Sequence, residues 1–400
     1  MPDTDEVRSF ATMLRDNVPM PRDVLDRLVA VEANRHPTQT QLRMALGLDL
    51  DLNPANDAAR RAAWRPGAVP SDDDLARMID AMYAAITSSR LVRVEIDANG
   101  THASRDAGPI RVREGEHLKL LILAHNTTDE GVEFSAESHG EGLGGWVEPH
   151  RSGSALLDCA AMPRGSFLLP VLIAAAGRTT TIDIPIECDP SGTLHLTIVG
   201  DATGEAALAA RVTLVDGVGP AAPEDTPLRA DVHDNPWFHM AGAFDARVSG
   251  RTRIRVARGI EYEPFETTID MPPDGDISVE ARLHRWSHMA ADGWYSGDVH
   301  VHLHYGGEYL LTPEDASLAQ HAEDVNFMNM MVANQGTFWV HDRDHFTGRD
   351  NELSDGTHIL RWGEEYRNNF YGHMCMFGIN ELVPPIYSGF RESEHTHDLP

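Results

Sequence analysis

From about residue 5 to 90 the apolar positions recur every three or four residues, the period of an α-helix with one buried face. Val24, Leu25, Leu28 and Val29 share such a face, and Gln39 to Leu46 continues the pattern. Ser71 followed by Asp72, Asp73 and Asp74 predicts a further helix start, with Ser71 as N-cap. Acidic side chains in a first turn are favourable because the helix N-terminus is the positive end of its dipole. That helix is expected to run to about Ser88 through Leu75, Met78, Ile79, Met82 and Tyr83. Residues 1–90 thus read as a helical packing region with no chemistry of their own.

From Leu91 the period shortens to two. Val92–Ile96, Leu118–Leu123 and Thr181–Ile186 alternate in and out like strands with one buried face, separated by turn residues such as Asn126–Asp129 and Asp189–Gly192. Strands at this spacing with no helix between them predict a β-sandwich over 91–190. A second sandwich is expected over 191–290, from Thr193–Val199, Ala210–Val215 and Ile277–Leu283, with a Pro-rich loop at 219–227.

After Trp294 strand-like runs alternate with helical ones, the signature of βα units. Val299–Leu303 reads as a strand. Thr312 is placed as the N-cap of the next helix, with Pro313 at its first position and Asp315 completing a capping box. Val325–Ala333, Ile359–Tyr366 and His373–Ile379 follow as strands, and Met328, Met330 and Met331 are assigned to core. The chain is therefore expected to be multidomain α+β: N-terminal helices, two small β-sandwiches, then a βα region over 291–400.

Composition narrows the partners. The net charge of −29 leaves no basic face for nucleic acid or an anionic membrane. Cys159, Cys188 and Cys375 form no disulfide framework or metal knuckle, which suits a reducing compartment. The first residues are acidic and lack the apolar run of a signal peptide. The longest apolar run, Phe167–Ala176, contains Pro170 and is too short to span a bilayer. A cytoplasmic location is the expectation.

Histidine changes the picture most, since 12 of the 21 lie from His284 onward. Imidazole is the commonest transition-metal ligand. His300 and His302 stand two apart on a strand, so both point to one face, with Asp298 one step earlier and placed to orient an imidazole. Glu365 and His373, at adjacent strand ends, are candidates to complete the metal shell. His304 follows at the same period as a possible metal or substrate contact, and Asn334, at a strand end, as a contact to water or substrate. The segment His341–His345 is read as a solvated loop rather than a ligand cluster, and His395 and His397 as exposed.

The run Trp294–His302 resembles the opening motif of the PHP superfamily of metal-dependent hydrolases, in its carbaryl-hydrolase-like (CehA/McbA) branch. Gly306-Gly307, Thr312-Pro313-Glu314, Gly363–Arg367 and Gly372-His373 are similar to its later motifs. Arg258–Tyr262 and Leu283–Trp286 resemble the carboxypeptidase-regulatory-like domain preceding its catalytic domain. The resemblance covers about 191–400, and implies that 291–400 is the first part of a distorted β/α barrel. It makes His300 and His302 ligands of one metal, Glu365 a bridging carboxylate and His373 a ligand of a second metal, the ions being Zn, Mn or Fe. The implied reaction is hydrolysis of a small-molecule carbamate, carboxylic ester or phosphoester by metal-activated water. Ala333-Asn334 stands where relatives carry Asp-His, and the sequence stops at Pro400 before the later barrel strands. It is therefore expected to be a fragment of a longer protein. The competing expectation is a non-enzymatic β-sandwich binding protein with a remnant or truncated metal site.

Overall fold

The computed structural model describes residues 22–61, 71–139, 141–201, 207–224, 226–230, 235–303, 311–335, 339–368 and 372–383. The chain divides into two compact units, Met1–Ser191 and Gly192–Pro400.

In the first unit the helices Arg22–Ala33, Gln39–Leu46, Asn53–Arg61 and Asp72–Ala85 precede the strands. The Ser71 hydroxyl accepts the Asp74 N–H while the Asp74 carboxylate accepts the Ser71 N–H, a complete capping box. This helix stops at Ala85, short of Ser88, because Ile86 is extended and Thr87 bridges to Asp51. Two sheets then pack face to face. One has the order Thr101–Ser104, Leu91–Ile96, Leu118–Asn126, Ser152–Cys159; the other runs Ile110–Arg113, Arg178–Asp189, Gly165–Ala175, Val132–Ser138, Glu141–Val147. Alternate residues such as Val92, Val94, Ile96, Leu120, Ile122, Phe134, Ile173 and Ile184 meet in a single core between them.

The second unit opens with another sandwich. Ala243–Val248, Gly192–Gly200, Asp276–Arg285 and Tyr262–Glu263 form one sheet. Arg229–Ala230, Pro236–Ala241, Ala209–Val215, Gly250–Ala257 and Phe265–Met271 form the other, with Pro220–Ala221 alongside. Leu194, Leu196, Ile198, Val212, Phe238, Ile254 and Leu283 fill the space between.

Beyond Asp292 a mixed sheet follows in the order Gly297–Val301, Phe327–Gln335, Ile359–Asn368, Gly372–Met376, with Trp339–His341 hairpinned onto Phe327–Gln335. The first three strands are parallel and Gly372–Met376 is antiparallel. The helix Pro313–Ala322 joins the first two parallel strands. Its capping box of Thr312 and Asp315 and its Pro313 stand as the sequence predicts. Both faces of the central strands are buried, as parallel strands require. Met328, Met330, Leu360 and Trp362 lie in one core cluster, while Met331 and Ala333 are also fully covered.

A β-rich multidomain architecture is what the structure has; the expected first part of a β/α barrel is not shown. Among the described residues the sheet is open and ends in an antiparallel strand. Two parallel strands and a crossover helix are common to many α/β arrangements, so the local pattern did not specify closure.

The C-terminal end of the Pro313–Ala322 helix is tied to the preceding sandwich. Arg258, 6% exposed, donates to the Ala209 and His321 carbonyls and pairs with Asp324 at 2.9 Å. Arg285 holds the other Asp324 oxygen at 2.8 Å. Gly259 sits at this junction with φ +47°, and a Cβ there would stand 2.6 Å from the Glu323 carbonyl oxygen. Only glycine meets both demands.

Candidate metal centre

The strand Gly297–Val301 brings its two histidines to one face by simple alternation, although its register against Phe327–Gln335 shifts between Asp298 and Val301. The strand ends at Val301 rather than Leu303, so His302 lies just past it. The Nε2 atoms of His300 and His302 stand 3.0 Å apart. Glu365 enters from Ile359–Asn368, where it pairs with Ala333. Its Oε2 lies 3.1 Å from His302 Nε2 and 3.4 Å from His300 Nε2. His373, on the antiparallel strand, places Nδ1 2.9 Å from the other oxygen, Oε1.

Three potential ligand atoms thus converge on one point. Tetrahedral ligation by imidazole at about 2.05 Å implies ligand–ligand edges of about 3.3 Å. The three edges here, 3.0, 3.1 and 3.4 Å, bracket that value. A cation at the centre satisfies all three. The donor set fits a divalent ion, and two imidazoles with one carboxylate suit Zn²⁺, Mn²⁺ and Fe²⁺ alike. His300 is 45% exposed at the side chain whereas Glu365 is 2% exposed, so the centre has an anionic floor and an open rim. Burial pushes the Glu365 carboxyl up, but the His302 contact and the charges of His302, His300 and His373 outweigh it and hold it below the usual range. His373 is on the far oxygen, where it orients Glu365 rather than sharing its convergence point.

The remaining sequence candidates fall elsewhere. The Asp298 carboxylate accepts the His300 backbone N–H at 3.1 Å, so the contact it makes there holds the strand rather than a ring. Asn334 lies in the strand Phe327–Gln335, but its side chain is outside the described set, as are His304, His395 and His397. The segment His341–His345, expected as loop, is the end of a short strand and a 3-10 turn, with the His345 ring 5.2 Å from that of Trp362.

One group escaped sequence reasoning altogether. His321, Asp355 and His358 place potential ligand atoms within 4.8 Å of one another, on the side of the sheet that faces the sandwich junction. The only sequence trace was the Asp-x-x-His spacing of Asp355 and His358, which is common in turns.

Neither the family models nor the curated proteins contain a match to this chain. Solved structures with local similarity include a minor pilin from Streptococcus agalactiae (14% identity over 49% of this chain and 95% of that one, TM-score 0.19). Others are the major pilin subunit BcpA of Bacillus cereus (10%, 48% and 77%, TM-score 0.18) and the TIE protein of Bacillus anthracis (11%, 65% and 55%, TM-score 0.18). Overlaps this small carry no functional argument. With no family model matching, and with pilins rather than PHP hydrolases among the structures named, the resemblance drawn from the Trp294–His302 run is not upheld. The superfamily assignment, its carbaryl-hydrolase-like branch, and the phosphoesterase and carboxypeptidase-regulatory-like labels are withdrawn. A five-residue strand carrying His-x-His recurs by chance too readily to carry a family. No described helix is long and apolar enough to cross a membrane.

Proposed function

We propose that this chain is a multidomain β-sandwich binding protein with a divalent-metal centre at His300, His302 and Glu365, oriented by His373. The observation that carries the reading is the convergence of two imidazole nitrogens and a buried carboxylate oxygen at tetrahedral edge lengths. His300 and His302 would donate neutral Nε2 lone pairs, and Glu365 would supply the charge. His373 keeps Oε1 engaged so that Oε2 stays aimed inward.

Protein stripped with a chelator is expected to gain thermal stability on adding Zn²⁺ or Mn²⁺, because an ion bound only by the folded state shifts the equilibrium toward it. The double variant His300→Ala, His302→Ala is expected to take up one equivalent less. Equal uptake by wild type and variant overturns the assignment.

A second reading, metal-assisted hydrolysis of a small ester, is favoured by the exposed rim at His300. A bound ion there would supply Lewis-acid polarisation of an ester oxygen. Turnover of a carboxylic ester that requires the ion and His302 would promote this reading over binding alone.

A further inference from the structure

We infer that His321, Asp355 and His358 form a second divalent-cation site, of the zinc class, on the wall of the cleft between the Pro313–Ala322 helix and the strand Ala209–Val215. The argument starts with the tautomer of His321. Its Nδ1 lies 2.7 Å from the Ser317 carbonyl oxygen, which can only accept, so Nδ1 carries a hydrogen. In the neutral ring Nε2 is then a bare lone pair, and it faces the Asp355 Oδ2 at 3.0 Å. Two lone pairs at that distance repel unless a cation or a proton lies between them. A ring whose far N–H is held by a backbone carbonyl is also how metal-binding imidazoles are commonly oriented.

Asp355 is prepared in the same sense. Its Oδ1 accepts the N–H groups of Thr357 and His358 at 2.6 and 2.7 Å and the Thr357 hydroxyl at 2.8 Å. That turn fixes the carboxylate and leaves Oδ2 as the outward ligand atom. His358 closes the group from below: its ring centroid is 4.1 Å from that of His321, and its Nδ1, 2.9 Å from the Thr357 hydroxyl, lies 3.5 Å from Asp355 Oδ1. The His358 side chain is more than nine-tenths buried, and its Nε2 has no hydrogen-bond partner among the described residues. Rotation of the ring about its Cβ–Cγ axis exchanges which nitrogen faces the cluster, since such rings are placed by their contacts. Asp324, 3.9 Å from that nitrogen, does not compete, because Arg258 and Arg285 already hold both its oxygens.

The cleft gives this site an exit. It measures about 500 Å³ and is lined by Leu208, Ala209, Leu318 and Leu353 with Arg258 and His321 in its wall. Of the three residues, His321 lines this cleft, so the site adjoins open space at that ring.

The test is a Zn²⁺ titration of the chelator-stripped chain by calorimetry, in five forms. Asp355→Asn is chosen because the amide oxygen can keep the Thr357 and His358 turn, while its NH₂ group donates to His321 Nε2 in place of a ligand. Wild type is expected to bind two equivalents, His300→Ala/His302→Ala one, Asp355→Asn one, and the triple variant none. In the His300→Ala/His302→Ala background, Asp355→Asn should weaken the remaining equivalent at least tenfold without lowering the metal-free melting temperature. His321→Gln in that background should do the same. One equivalent that Asp355→Asn removes and the double variant keeps would support this site and discard the one at His300. Zinc uptake that vanishes in the double variant, or is unchanged by both Asp355→Asn and His321→Gln, overturns the inference and shows that a proton holds His321 to Asp355.

Discussion

Glu365 separates the two things a buried carboxylate can do among imidazoles. Removing a carboxylate from water is costly unless opposite charge or well-aligned donors surround it. With His300, His302 and His373 around it, the carboxylate is matched by imidazole nitrogens within 2.9–3.4 Å, or by an ion held among them. Glu365→Gln keeps the shape but not the charge. Its amide group can still bond His373, and the His300 and His373 side chains are nearly half exposed, so stability is expected to change by no more than about 1 kcal/mol. Metal affinity, which depends on the charge, is expected to fall at least tenfold, or about 1.4 kcal/mol. Calorimetry with Zn²⁺ reads the second quantity and urea denaturation the first. Unchanged affinity together with lost stability would mean that Glu365 is only an anchor for the histidines.

At the scale of elements, the sequence was most legible where structure is local. The capping boxes at Ser71 and Thr312 involve residues three apart, so composition alone places both helix starts. Strand alternation was equally readable, down to the inward set of Val92, Val94 and Ile96. His300, His302, Glu365 and His373 were legible as potential ligands because alternation and strand ends put them on predictable faces. What was not legible depended on distant partners. The Arg258–Asp324 pair joins residues 66 apart, and nothing in either neighbourhood announces the other. His321 meets Asp355 for the same non-local reason. The clamp at Arg258 makes its own prediction. Its guanidinium neutralises Asp324 and donates to the helix carbonyl of His321, which also accepts the Asp324 N–H. Arg258→Ala removes one of the two guanidinium partners of a buried Asp324 and is expected to cost about 3 kcal/mol. The urea midpoint of the transition reported by tryptophan fluorescence measures it; Trp362 lies in the adjacent core. A shift worth under about 1 kcal/mol would mean that Asp324 is held well enough by Arg285 alone.

For the whole molecule the excess of 62 acidic over 33 basic residues suggests that acid should relieve repulsion and stabilise the fold. One buried histidine works in the opposite direction over part of that range. His36 lies in the first unit, stacked on Tyr83 at 3.7 Å between ring centroids, with Nδ1 2.7 Å from the Ser154 hydroxyl. Burial pushes its pKa down to about 4; the Asp80 carboxylate, 3.8 Å away and shared with Arg35, recovers only part of the loss. The folded state therefore keeps His36 neutral where the unfolded chain, titrating near the ordinary 6.5, takes up a proton. Stability from this group is complete above pH 6.5 and is lost as pH falls toward about 4. The full shift is worth about 3 kcal/mol, of which about 2 should be gone by pH 5. His239 and His358, also held low chiefly by burial, act in the same direction; the exposed His195 and His284, raised by Asp245 and Asp201, act against it. Urea midpoints followed by far-ultraviolet circular dichroism at pH 7 and pH 5 test the balance. Wild type should lose stability over that interval, and His36→Gln should lose about 2 kcal/mol less. If the variant declines as steeply as wild type, the acid sensitivity of the first unit resides in groups other than His36.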